Sequence, residues 1–155
     1  IALLGTRGIP NNYGGFEQFA ERLSVYLVQR GHEVYVYQSS LHPYQESHYK
    51  GVHLITCFDP EHTIGTAGQF IYDLCCIIDS RKRSFDVILQ LGYTSNSIWS
   101  FLLPNRPKII TNMDGLEWKR DKYNTWTKRF LEKAERWAVR SSDTLVADSI
   151  GIQLY

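Results

Sequence analysis

Short apolar runs alternate with longer amphipathic stretches along this chain. Residues 1–5 (IALLG) form an apolar run closed by glycine, the pattern of a buried strand. Residues 6–15 are polar and rich in Gly and Pro. Over residues 16–30, Phe16, Phe19, Ala20, Leu23, Leu27 and Val28 recur at helical spacing, which predicts a helix with one apolar face. Gly31 stands where a helix is capped at its carboxyl end. Residues 34–37 (VYVY) read as a second strand, 39–51 as a polar loop and 52–57 as a third strand. Residues 63–83 carry a helix-length apolar pattern. Residues 86–91 (DVILQL) show little alternation, as in a strand covered on both faces. A short helix is predicted over 95–103, stopped by Pro104. A fifth strand follows over 108–111, a long broken helix over 117–140 and a sixth strand over 144–147.

Strands separated by helices predict an α/β domain: a doubly wound, mostly parallel, Rossmann-like sheet with helices on both faces. In such folds the ligand lies beyond the carboxyl ends of the strands, where strand order reverses. That directs attention to three loops: residues 6–15, 92–96 and 112–120. No internal repeat or low-complexity segment interrupts the 155 residues, a length that suits one domain.

Composition narrows the function classes. Apolar residues make up 43% and charged residues 21%, which excludes a disordered chain. Lys plus Arg number 17 against 16 Asp plus Glu, so the net charge is +1. That balance gives no support for a dedicated nucleic-acid binder. The apolar runs are far too short to span a bilayer. Cys57, Cys75 and Cys76 are odd in number, and two are adjacent; reduced, buried thiols in a cytoplasmic protein fit this better than a disulfide framework. The chain starts on a strand without Met, and Ser149 reads as the cap of a new helix. Both ends therefore suggest a piece of a longer polypeptide.

The first loop reads GTRGIPNNYGGFE. Gly14 and Gly15 at a helix entrance let a ligand approach backbone, and the exposed amides there suit an anion such as a diphosphate. The same pair also serves as a flexible turn. Arg7 is placed either to help hold that anion or to form a structural ion pair. The loop after the fifth strand, NMDGLEWKRD, sets Asp114, Glu117 and Arg120 at the ligand edge; the alternative is a turn aspartate and a first-turn helix acid. Dinucleotide, P-loop, Asp-x-Asp, His-Glu-x-x-His and Gly-x-Ser-x-Gly signatures are missing. His32, His42, His48, His53 and His62 lack ligand spacing and read as surface or loop residues. Residues 117–140 carry eight Lys or Arg against four Asp or Glu, with Trp126, Phe130, Ala134 and Trp137 at roughly helical spacing. The aromatic stripe reads first as core beneath a solvated basic face; contact with an anionic membrane surface is the other reading.

Two blocks together carry a resemblance. GTRGIPNNYGGFEQFAERL followed by GHEVYVY, and NMDGLEWKRDKY, resemble the amino-terminal half of bacterial rhamnosyltransferases and related sugar transferases. These are family-four retaining glycosyltransferases of GT-B architecture, and the resemblance covers essentially the whole chain. It implies that this chain is the acceptor-side domain, and that a donor-binding carboxy-terminal domain with its Glu-x7-Glu motif lies outside it. By the same resemblance, Gly14 and Gly15 face the donor diphosphate, where Arg7 is expected to assist unless it forms a structural ion pair, and Asp114 is the catalytic-position residue at the strand end. Asn12, Tyr13, Glu117 and Arg120 shape the acceptor side. Relatives often carry a His near that strand end; Asn112, Met113 and Asp114 stand there instead.

The implied activity is transfer of a hexosyl or rhamnosyl unit, with retention, from a nucleotide sugar to a polysaccharide or lipid-linked acceptor. Backbone amides and cations would stabilise the departing diphosphate, so neither metal nor cofactor is expected. The donor phosphate itself can take the acceptor's proton, with the protein positioning the groups. Expected partners are the nucleotide sugar, the glycan or lipid-linked acceptor and the chain's own second domain, with no nucleic acid. The expected place is the cytoplasm, with peripheral contact at the inner membrane face. Residues 1–155 alone are expected not to transfer sugar. The alternative from another class is a non-catalytic nucleotide- or polyanion-binding domain of the same fold.

Overall fold

The computed structural model describes residues 1–113, 115–121 and 123–155. The first three apolar positions make β1 (Ala2–Leu4), and the glycine pair opens α1 (Gly15–Gln29). Next come β2 (Tyr35–Ser39), β3 (His48–Tyr49) and β4 (Val52–Cys57). A short α2 (Glu61–Ile64) and a 3-10 turn (Gly65–Ala67) lead into α3 (Gly68–Ser80). Then follow β5 (Val87–Leu91), a 3-10 stretch (Ser97–Leu102) and β6 (Lys108–Met113). A 3-10 turn (Glu117–Lys119), α4 (Thr125–Ser141), β7 (Thr144–Ala147) and α5 (Ile150–Gln153) complete the chain.

The strands form one sheet in the order β3-β4-β2-β1-β5-β6-β7. Every pairing is parallel except β3 with β4. Strand residues alternate between the two faces, and the cores follow. Leu3 and Val36 pack toward α1 with Ala20 and Val34, whereas Ala2, Leu4 and Tyr37 pack toward α3 with Tyr72, Cys76 and Ile77. Each fully buried Leu or Ile contributes about 2 kcal/mol of transfer free energy. A third cluster, Tyr93, Met113, Ala134 and Ala138, seats α4. The doubly wound α/β expectation therefore holds.

Several elements differ from the sequence reading. A seventh strand, β3, lies in the segment expected to be a loop; Lys50 (φ 47°) and Gly51 (φ 83°) turn the chain so that His48 and Tyr49 pair with His53 and Val52. The single helix expected over residues 63–83 is three pieces, because Gly65 adopts φ 63°, ψ −150° and breaks the helical path. On α1 the expected apolar face holds for Ala20, which is buried, and for Phe16, Leu23, Leu27 and Val28, which pack against the core; Glu17 and Ser24 are buried as well, and Phe19 is 43% exposed. His42 lies in a loop, as expected, but is buried there: its Nε2 lies 3.1 Å from the Pro10 carbonyl oxygen. Trp126, expected within a core stripe, is 79% exposed. The cysteines are free, with Cys57 and Cys76 buried and Cys75 half-buried. Among the described residues no helix is long and apolar enough to cross a membrane.

Candidate functional site

The chain runs from β1 outward to β2 on one side, then returns through α3 to β5 on the other. The ends of β1 and β5 are thus the point where strand order reverses, the expected ligand position. Gly5 ends β1 at φ +83°, and a Cβ there would lie 2.4 Å from the Leu91 carbonyl oxygen. Only glycine lets the two strand ends come this close. Beyond them a cavity of about 170 Å³ is lined by Gly5, Phe16, Gln69, Asp73, Gly92, Tyr93, Thr94, Ser95 and Asn96, among others. Asn96 is fixed by bonds from its amide to Gln90 Oε1 (2.8 Å) and the Gly92 carbonyl (3.1 Å). Ser95 Oγ donates to Asp73 Oδ2 at 2.5 Å. Burial raises the Asp73 carboxyl to about 7; the Ser95 hydrogen bond and the Arg7 charge act downward, and the Asp59 charge acts upward.

The first loop is tied to the start of α1. Glu17 is buried in the first helical turn, and its Oε1 accepts from the Arg7 amide at 3.0 Å and from Thr6 Oγ1 at 3.3 Å. The Tyr72 hydroxyl on α3 donates to the Thr6 carbonyl at 2.7 Å, joining this loop to the opposite layer. Among the described residues no side chain caps α1 at Gly14, and a Cβ built on Gly15 meets nothing within 4 Å. The entrance of α1 is open to an approaching group.

Arg7 is not free-standing. Its guanidinium pairs with Glu61 and lies 3.7 Å from Asp59, and it stacks 4.7 Å from the Tyr13 ring centre. Asp59 is buried and accepts from Ser39 Oγ at 2.6 Å. A second cavity, about 180 Å³, gathers Arg7, Asn12 and Tyr13 with Ser39, His42 and Glu61. So three residues singled out from the sequence meet beside β1 and β2. Glu117 and Arg120 line neither cavity. They pair with each other, Arg120 Nε to Glu117 Oε1 at 3.1 Å, and Tyr123 donates to Glu117 Oε2 at 3.3 Å. Asp114 lies outside the described residues. Before it, Met113 ends β6; after it, the Gly115 carbonyl accepts from the Tyr93 hydroxyl at 2.8 Å.

A family match spans residues 1–155, to a family described as "Domain of unknown function (DUF1972)". The chain belongs to the DUF1972 family. No curated protein matches it.

This DUF1972 chain therefore presents two small cavities flanking β1, the one at the β1–β5 switch point mainly polar and the other mainly apolar, with an uncapped helix between them. Such an arrangement can receive an anion at the α1 amides and hydroxyl groups in the cavities. Among the described residues no group of three or more His, Cys, Asp or Glu is placed to hold a metal ion. A larger hollow of about 570 Å³, lined by Arg81, Lys82, Arg83 and Arg106, opens at the amino ends of β5 and β6, at the opposite edge of the sheet. Sequence reasoning missed Glu17, Asp59 and Asp73, and reached Ser95 only as part of the 92–96 loop. The signal for Asp73 was present: an acid sits within FIYDLCCII, one turn from Cys76 and Ile77, on the face that must be buried.

Proposed function

We propose that this DUF1972 chain is the acceptor-side half of a glycosyltransferase, acting with a donor-binding domain to move a sugar from a nucleotide sugar to a glycan or lipid-linked acceptor with retention. The observation that carries the proposal is the open, uncapped entrance of α1 at Gly14 and Gly15 beside the switch-point cavity. Two further facts support it. The two sequence blocks that resemble family-four transferases supply this entrance and the loop after β6, and DUF1972 domains are commonly found at the amino terminus of glycosyltransferases.

In this reading the α1 amides stabilise the diphosphate as the sugar–phosphate bond breaks. Arg7, held by Glu61 and Asp59, keeps Tyr13 and the second cavity in shape and adds only a partly neutralised charge. Asp114 orients the reacting hydroxyl, and Glu117 with Arg120 borders the acceptor. The decisive experiment is incubation of the full-length protein with a panel of nucleotide sugars and membrane-extracted acceptors. The product's anomeric configuration is then read by NMR. A product that keeps the donor's configuration is expected, and Asp114→Asn should lower turnover more than it lowers the melting temperature. Binding of nucleotide sugars without transfer to any acceptor would favour the non-catalytic binding domain instead.

A further inference from the structure

Asp73 is a buried carboxylate whose one hydrogen-bond donor among the described residues is Ser95. It is 3% exposed, on α3, with Tyr72, Cys76 and Ile77 buried beside it. Its Oδ2 accepts from Ser95, and among the described residues Oδ1 takes no hydrogen bond. Among the described residues no cation pairs with it; Arg7 is committed to Glu61 and Asp59. A carboxyl held this way destabilises the fold relative to an apolar residue of similar size, so its presence calls for a use.

The carboxyl lines the cavity between β1 and β5. Its volume of about 170 Å³ is that of about six waters at ~30 Å³ each. That is room for one hydroxylated ring and not for a nucleotide. Gln69, Thr94 and Ser95 supply hydrogen-bonding groups in its wall, and Phe16 an aromatic one. A polar pocket of this size, with an aromatic surface and an acid, suits a sugar ring.

We propose that this cavity takes one sugar ring of the substrate, and that Asp73 is the positioning residue that holds it, accepting a ring hydroxyl's hydrogen on Oδ1. The ionised carboxylate accepts; the protonated acid has given half of that capacity up. Binding the ring therefore releases the Asp73 proton to solvent. Because the free carboxyl titrates at about 7, the ring binds well on the alkaline side of neutrality and poorly on the acid side. The groups that bear on this titration are Tyr72 and Cys76 on α3, Arg7 after β1, Asp59 after β4, Glu61 on α2, and Ser95 after β5. The inference rests on the transferase reading for the source of the ring, but its test does not need transfer.

The experiment follows the melting temperature of the full-length protein against pH, titrating a panel of free hexoses and deoxyhexoses as probes. A sugar should raise the melting temperature above pH 7, with the effect fading below it. Asp73→Asn should weaken the apparent Kd for that sugar by about ten- to a hundredfold on the alkaline side, the loss of one charge-assisted hydrogen bond, and should abolish the pH step. Ser95→Ala keeps the acid but removes the bond that favours its ionised form, so the step should move to higher pH. If no sugar shifts the melting temperature at any pH, or if Asp73→Asn responds as the wild type does, the proposal is overturned. Sugar binding that depends on Asp73 in a protein that transfers nothing would uphold it while the transferase reading fails. Displacement of the free sugar by an intact nucleotide sugar would assign the ring to the donor; coexistence of the two would assign it to the acceptor.

Discussion

Gly5 and Gly15 stand ten residues apart on the same loop and face opposite demands. Gly5 has a positive φ, and a Cβ there meets Leu91 backbone; Gly5→Ala should destabilise the protein by at least about 2 kcal/mol, read as a lowered urea midpoint. A Cβ on Gly15 meets nothing within 4 Å among the described residues, so Gly15→Val should leave the melting temperature nearly unchanged. If the α1 amides meet a developing anion, that variant should lower turnover about a hundredfold, the effect of losing one such contact of about 3 kcal/mol. Normal turnover in Gly15→Val would make the glycine pair a turn and nothing more. The sequence shows that both positions are glycine. It does not show which is required by the protein's own backbone and which is left free, because that depends on Leu91, 86 residues away from Gly5 in the chain.

Elements whose pattern is self-contained were legible, and those fixed by a distant partner were not. The end of α1 was readable: Gly31 donates to the Val28 carbonyl (2.9 Å) and His32 to the Leu27 carbonyl (3.1 Å), the Schellman arrangement that a glycine after a helix signals. The start of α5 at Ser149 was readable for the same reason, its Oγ accepting from the Ile152 amide at 3.3 Å. β3 has only two residues, too few for any periodicity, and exists by its pairing with β4. The aromatic stripe of α4 was half right: Phe130 meets Phe70 (6.0 Å) and Trp137 (6.5 Å), while Trp126 points outward beneath Arg129. Spacing marked a face but not how far along the helix its neighbours extend. Two substitutions check this division. Asn124→Ala removes the acceptor for the Thr127 amide and should cost about 1 kcal/mol of unfolding free energy in urea titration. Trp126→Ala, at an exposed site, should change it by no more than about 0.5 kcal/mol.

At the scale of the molecule, Asp73 couples overall stability to pH. Its carboxyl titrates at about 7 when folded, against an ordinary value of 3.8. The folded state therefore holds this proton more tightly than the unfolded chain. The stabilisation is fully present below the ordinary value and is lost as pH rises through about 7, to the extent of roughly 4 kcal/mol at 1.36 kcal/mol per unit. Chemical denaturation across that range should show Asp73→Asn losing this slope and matching or exceeding the wild type above pH 7. The two margins of the sheet differ as well. At one, the short turned-back β3 leaves little backbone to offer a neighbour. At the other, β7 is exposed along its length, with Leu145 and Val146 each at least 40% accessible. An exposed, uncharged margin of this kind is a template for further strands. Within residues 1–155 this is the margin open to a further strand, and association through it should rise with protein concentration. Val146→Lys should suppress it in sedimentation experiments without disturbing the cavities beside β1, and assembly that persists in that variant would place the contact elsewhere on the surface.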